Sequence, residues 1–157
     1  MSYMIDPLTT PTEYSSGANT TLSPVPDVPP GYEGTSIRGV ISGLPTGGPS
    51  ESRRNVRFDL SVYPDSATVN VWFKASTLTN LRAIYVLFAS ANDGYAAYGL
   101  LPQQVGTWQA LTLPKGSPSS SSAIDWTSIV GISVRADASA AGPYSGLVYW
   151  RDLRLDL

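Results

Sequence analysis

The chain has 157 residues, 42% hydrophobic and only 14% charged, with ten basic and twelve acidic side chains, a net charge of −2, and neither cysteine nor histidine. Disulfides, thiolate or imidazole metal centres, cysteine nucleophiles and the serine–histidine triad are therefore excluded, and a metal site would need oxygen ligands of the calcium or magnesium type. Without a basic surplus, non-specific binding to nucleic acid or an anionic membrane is not expected, and no apolar run is long enough to cross a bilayer.

Residues 1–30 read differently from the rest. They hold Pro7, Pro11, Pro24, Pro26, Pro29 and Pro30, no Lys or Arg, and the acids Asp6, Glu13 and Asp27. Apolar residues are scattered singly, with neither a helix nor a strand period. Such a segment buries too little apolar area to offset its own ordering entropy, which predicts an extended arm. Met1–Thr10 lacks the basic and apolar regions of a secretory signal. Read as a partner-binding arm, the segment presents Tyr3, Met4, Ile5, Leu8, Tyr14 and Leu22 as anchors, with prolines lowering the entropy lost on binding. The alternative is a disordered leader.

From Gly31 onward the pattern is β. Ile37–Ile41 is a plausible first strand. Val56, Phe58, Leu60 and Val62 alternate with Arg57, Asp59 and Ser61, and Val69, Val71, Phe73 and Ala75 with Thr68, Asn70, Trp72 and Lys74. Leu81–Phe88 is nearly continuous in apolar residues. Further strands are expected at Trp108–Leu113, Ile129–Arg135 and Leu147–Leu157. Turn signals fall between them, at Pro45–Pro49, Pro64–Ser66, Asn92–Gly94 and Lys115–Pro118. Ser119–Ser122 and Ala138–Ala141 read as loops. The expected fold class is all-β, an antiparallel β-sandwich of jelly-roll type over residues 31–157, carrying an extended N-terminal arm over residues 1–30.

Three stretches carry a family resemblance: Gly106-Thr107-Trp108-Gln109, Asp125-Trp126-Thr127-Ser128-Ile129-Val130-Gly131-Ile132, and Val148-Tyr149-Trp150-Arg151-Asp152-Leu153-Arg154-Leu155. Their order resembles the jelly-roll carbohydrate-binding modules, also called galactose-binding-like domains. The resemblance implies a jelly-roll fold and, in many members, a structural calcium between a glutamate near the first strand and an aspartate on the last. Glu33 and Asp152 are the matching residues. Arg151 stands where the family's first paired aspartate would be, so the alternative is ion pairing of Glu33 and Asp152 with Arg151, Arg154 or Arg38.

A sugar needs a flat aromatic ring for its C–H face and polar side chains for its hydroxyls. Trp72, out of phase with Val71 and Phe73, is expected to leave the core between Asn70 and Lys74, and Tyr85 to do the same on the next strand, near Arg82. Tyr95 and Tyr98 follow the Asn92–Gly94 turn, and Tyr144 sits in a Gly-Pro loop. These five rings are the candidate carbohydrate-binding residues, packing under loops or against another subunit being the alternative. Catalysis by paired carboxylates would draw on Asp59, Asp93, Asp125 or Asp137, but nothing in their spacing brings two together, so no enzyme and no catalytic residue is expected.

Two functions follow. The first is a phage capsid decoration or cement protein of the virion, its arm on the major capsid protein, its body displayed and binding host glycans. The plan is similar to that of phage accessory proteins, in which trimers are common. The alternative is an extracellular carbohydrate-binding module of a secreted glycan-degrading system. Neither reading calls for nucleic acid or a membrane.

Overall fold

A computed structural model describes residues 1–157. Period-2 alternation sets the two faces of each strand. In β5 (Thr68–Ala75), Val69, Val71 and Phe73 are buried while Asn70 and Trp72 turn outward. The same alternation in β6 (Leu81–Ser90) buries Ile84, Val86 and Phe88, and in β10 (Ile129–Ala138) buries Ile132, Val134 and Ala136. Two antiparallel sheets result. One runs β2 (Thr20–Val25), β3 (Ser36–Leu44), β11 (Tyr144–Asp156), β5 and β8 (Gln109–Pro114), with β1 (Ser2–Asp6) also paired to β11. The other runs β4 (Pro49–Phe58), β10, β6, β7 (Tyr95–Leu100) and β9 (Ser120–Ser122). Their inner faces share one core, in which Phe73, Trp150 and Leu153 meet Ile84, Phe88, Ile132 and Tyr98. The fold is thus the expected β-sandwich.

The first thirty residues depart from expectation, because they are built into the sheets. Ser2–Asp6 pairs with the end of β11, and Thr20–Val25 pairs with β3 throughout. β3 covers only the first half of β11 and β1 the second. Between them, the Pro7 carbonyl accepts from the Asp152 N–H and the Leu8 carbonyl from the Ile37 N–H, so the chain closes the gap along β11. Ile5, Leu8 and Tyr14 are core residues, Leu22 packs against the core, and only Tyr3 and Met4 among the expected anchors are exposed, at 38% and 47%. Tyr3 itself lies against Tyr63, ring centroids 5.4 Å apart.

A buried polar knot fixes this segment. Asp6, 2% exposed, accepts from the Leu8 N–H at 2.7 Å, the Tyr14 hydroxyl at 2.6 Å and the Arg54 guanidinium at 2.8 Å. Arg54 also reaches Glu13 at 3.1 Å. The knot joins β1 to β4, one strand from each sheet. Burial and the neighbouring Asp6 carboxylate push the Tyr14 phenol far up from its ordinary value. A segment unable to fold alone thus finds its partners in strands far along the chain, and no local pattern reports such pairing.

Other boundaries also differ. β4 begins at Pro49 and ends at Phe58, so Leu60 and Val62 lie beyond it. Its first half alternates serines with charged residues, burying Ser50 and Ser52, which masks a strand by composition. Ser120–Ser122 forms the edge strand β9 against β7, not a loop.

Candidate functional site: a groove on the five-stranded sheet

The strands of the five-stranded sheet send their alternate residues outward in registered rows. Arg135 of β10 faces Glu51 of β4 and Tyr85 of β6, and Tyr85 faces Gly99 of β7. In the next row, Ser133 lies between Arg53 and Leu87, with Ala97 beyond. In the third, Gly131 lies between Asn55 and Ala89, with Tyr95 beyond. Small residues at Ala83, Ala89, Ala97, Gly99 and Gly131 leave a shallow trough between the larger ones.

That trough holds a groove of about 230 Å³ lined by Arg82, Tyr85, Tyr95, Ala97, Ser120, Arg135 and Asp137. A neighbouring hollow of about 200 Å³ shares Tyr95 and Arg135 and adds Glu51, Leu87, Ala89 and Ser133. Arg82 reaches the groove because the register slips beside it: Asp137 pairs with Ala83 but Ala138 with Leu81.

The polar groups are preset. Arg135 forms a two-pronged bond to Asp137, Nε to Oδ1 at 2.7 Å and Nη2 to Oδ2 at 3.1 Å. Its Nη1 lies 3.7 Å from Glu51, which also accepts from the Ser133 hydroxyl at 3.0 Å. The bond to Asp137 holds the Arg135 guanidinium protonated above its ordinary range. The guanidinium stands 5.7 Å from the centre of the Tyr85 ring. At the groove's edge, the Tyr95 and Ser120 hydroxyls are bonded at 2.9 Å. The result is an aromatic plate beside hydrogen-bonding groups held in fixed positions. Both carboxylates here are engaged by one guanidinium, an arrangement suited to holding hydroxyls and not to delivering a proton.

Of the five expected ring residues, only Tyr85 and Tyr95 meet in this groove. Trp72 is on the outer face of the other sheet, because the link after β5 crosses the sandwich before β6 begins. There its indole N–H donates to the Tyr32 hydroxyl at 3.3 Å, under the chain linking β2 to β3. Tyr98 and Tyr144 are fully buried. Tyr98 donates to the Lys115 carbonyl at 2.5 Å and Tyr144 to the Thr77 carbonyl at 3.0 Å, which leaves neither ring to face a ligand. In both cases the neighbouring turn signal suggests a loop position, whereas the residue itself belongs to a strand.

Sequence reasoning does not single out Arg135, Ser133 or Glu51. A period-2 signal for two of them is present, since Ser133, Arg135 and Asp137 alternate with Ile132, Val134 and Ala136. Of the carboxylates weighed for catalysis, Asp137 lines the groove, while two others are held in their own loops. Asp59 bonds Ser61 and Asp125 bonds Thr127, each holding a turn.

The expected calcium pair does not fit a cation. Asp152 accepts from the Tyr32 hydroxyl at 2.6 Å and lies 3.4 Å from Arg154. Near Glu33 it is a backbone carbonyl that is used, accepting from Arg151 at 2.9 Å. No group of three acidic side chains gathers there or elsewhere. A proton donor and a guanidinium stand where calcium would require oxygens.

No protein-family model and no curated protein sequence matches the chain. Solved structures do match in fold. The family 11 carbohydrate-binding module from Clostridium thermocellum, in complex with a β-1,3-1,4-mixed-linked tetrasaccharide, superposes with TM-score 0.65 at 14% identity, covering 99% of this chain and 95% of that one. A family 30 carbohydrate-binding module gives 0.63 at 15% identity, with 99% and 98% covered. An exo-β-agarase gives 0.69 at 12% identity over 98% of this chain, which spans only 24% of that enzyme. The fold is therefore the jelly roll of carbohydrate-binding modules, and residues 1–30 fall within the matched length.

Proposed function

We propose that this chain is a non-catalytic carbohydrate-binding module that lays a polysaccharide along the groove of its five-stranded sheet, in an extracellular setting. The observation that carries the reading is the pairing of the Tyr85 ring with the fixed Arg135–Asp137–Glu51 array on one outward sheet face. An aromatic plate takes the C–H face of a pyranose, and the array takes its hydroxyls. Two neighbours of near-equal length are modules of this kind, and one of them is in complex with a tetrasaccharide. The capsid-attachment reading rested on a free arm, and its premise fails because the segment seals the sandwich.

The test is affinity electrophoresis of the full chain in gels containing mixed-linked β-glucan, laminarin, xylan, agarose or pectin. Retardation by at least one polymer, lost in Tyr85→Ala, is expected. Equal mobility in every gel would end the proposal.

A further inference from the structure

Every basic residue outside this face has a partner in the chain. Arg54, Lys74, Lys115 and Arg154 are in ion pairs, Arg38 bonds Ser23, and Arg151 bonds the Glu33 and Thr35 carbonyls. Three arginines have neither an ion pair nor a side-chain hydrogen bond: Arg53, Arg57 and Arg82. All three belong to the five-stranded sheet. Arg82 lines the groove. Arg53 stands in the outward row with Ser133, its guanidinium laid across Gly131 so closely that a Cβ there would meet Cζ at 2.6 Å. Arg57, in phase with Arg53 on β4, borders a hollow at the far end of the sheet. Asp59 shares that hollow, but its carboxylate is taken up by Ser61. The groove's own acids, Glu51 and Asp137, are engaged by Arg135.

Resting on the glycan reading above, we infer that the ligand is an anionic polysaccharide, whose carboxylate or sulfate groups are met by Arg53, Arg57 and Arg82. Guanidinium forks bind such oxyanions through two parallel, charge-assisted bonds, whereas the hydroxyls of a neutral sugar accept without the opposite charge that strengthens the pair. The spacing favours a polymer over a small anion. β4 from Pro49, opposite Asp137, to Arg57 spans roughly 25 Å at the strand rise, which spreads the three cations along the face. Unpaired guanidinium groups gathered on one face of an otherwise acidic chain are the charge complement of a periodic polyanion.

The full chain is tested by affinity electrophoresis and calorimetry on alginate and polygalacturonate (carboxylate), κ-carrageenan (sulfate), and agarose and mixed-linked β-glucan (neutral), at 50 and 500 mM salt. Binding to one anionic class at least tenfold tighter than to either neutral polymer is expected, weakened at high salt. The Arg53→Gln/Arg82→Gln double variant should lose at least tenfold. Arg38→Gln, a charge loss on the other sheet, should lose nothing. Neutral polymers bound as tightly, without salt dependence but still lost in Tyr85→Ala, would overturn the anionic ligand and leave the glycan reading standing. Duplex DNA bound as well as the glycans, with Arg38→Gln equally weakened, would reduce the effect to general charge attraction and overturn it. No retention by any polymer would remove both readings.

Discussion

The Tyr85 ring occupies the space above Gly99: a Cβ placed on Gly99 would sit 2.1 Å from Cδ1 and 2.5 Å from Cε1 of that ring. Only glycine lets the ring lie down across β7 beside Arg135. Gly99→Ala should therefore lift the ring and weaken glycan binding in the same direction as Tyr85→Ala. Loss of an aromatic anchor at a binding face costs about 2 kcal/mol, or roughly thirtyfold in affinity. Calorimetry on both variants checks this, and wild-type affinity in Gly99→Ala would mean that the ring's posture is irrelevant.

The Asp6 knot makes a second prediction, on stability. Asp6→Ala strands the Arg54 guanidinium and the Tyr14 hydroxyl, and should cost about 3 kcal/mol, tempered because Arg54 is partly exposed. Leu8→Ala should cost a similar ~3 kcal/mol through the cavity it leaves. Deleting residues 1–8 uncovers half of one edge of β11 and should lower the melting temperature further still. Chemical denaturation of the three variants is the measurement. A truncated chain as stable as the full one would show that the segment is dispensable.

How much of this is legible in the sequence follows from locality. The strands β5, β6 and β10 announce themselves through alternation, since one face of each is core. Leu8 does not: it sits at φ 57° in a Pro-rich stretch, yet it is fully buried, because β3 and β11 leave a gap of its shape. Trp72 and Tyr85 illustrate the limit for the site. Alternation correctly turns both outward, but which sheet each strand joins depends on a crossover that no residue in the loop encodes. Arg135 and Asp137 are equally readable from their own strand, but they look like an ordinary solvent-facing pair until Tyr85 is placed beside them.

Ionisation gives a third prediction. The Tyr14, Tyr98 and Tyr144 phenols are raised by burial, Tyr144 to about 12, the other two further. A folded value above the unfolded one means the native state keeps its protons longer. That stability is whole below about pH 10 and drains away as pH climbs past it. Burial lowers Lys74 and Lys115, which works the opposite way in the same range, but the tyrosine shifts are the larger. With no histidine, stability should stay nearly level from about pH 6 to 9 and fall steeply above about 10, with phenolate absorbance appearing together with unfolding. Phenolate absorbance rising in full while the fold persists would contradict it.

Chelation supplies a fourth. With Asp152 held by Tyr32 and Arg154, EDTA should leave the melting temperature unchanged, and added calcium should not raise it. A rise of several degrees with calcium would show that this carboxylate is a ligand after all.

The central claim, that a glycan lies on the five-stranded sheet, is tested most directly by mapping amide and indole chemical shifts of the labelled chain during titration with a polysaccharide it retains. No tryptophan lines the groove: Trp72 and Trp108 flank Tyr32 and Tyr149 across the sandwich, and Trp126 and Trp150 pack against or within the core. Perturbations should therefore centre on Tyr85, Tyr95, Ser133 and Arg135, and reach the Trp150 indole N–H, which donates to the Tyr85 carbonyl at 3.2 Å, while the Trp72 and Trp108 indole signals stay still. Shifts centred on Trp72 and Trp108, with Tyr85 and Arg135 silent, would put the ligand on the opposite sheet and contradict the account.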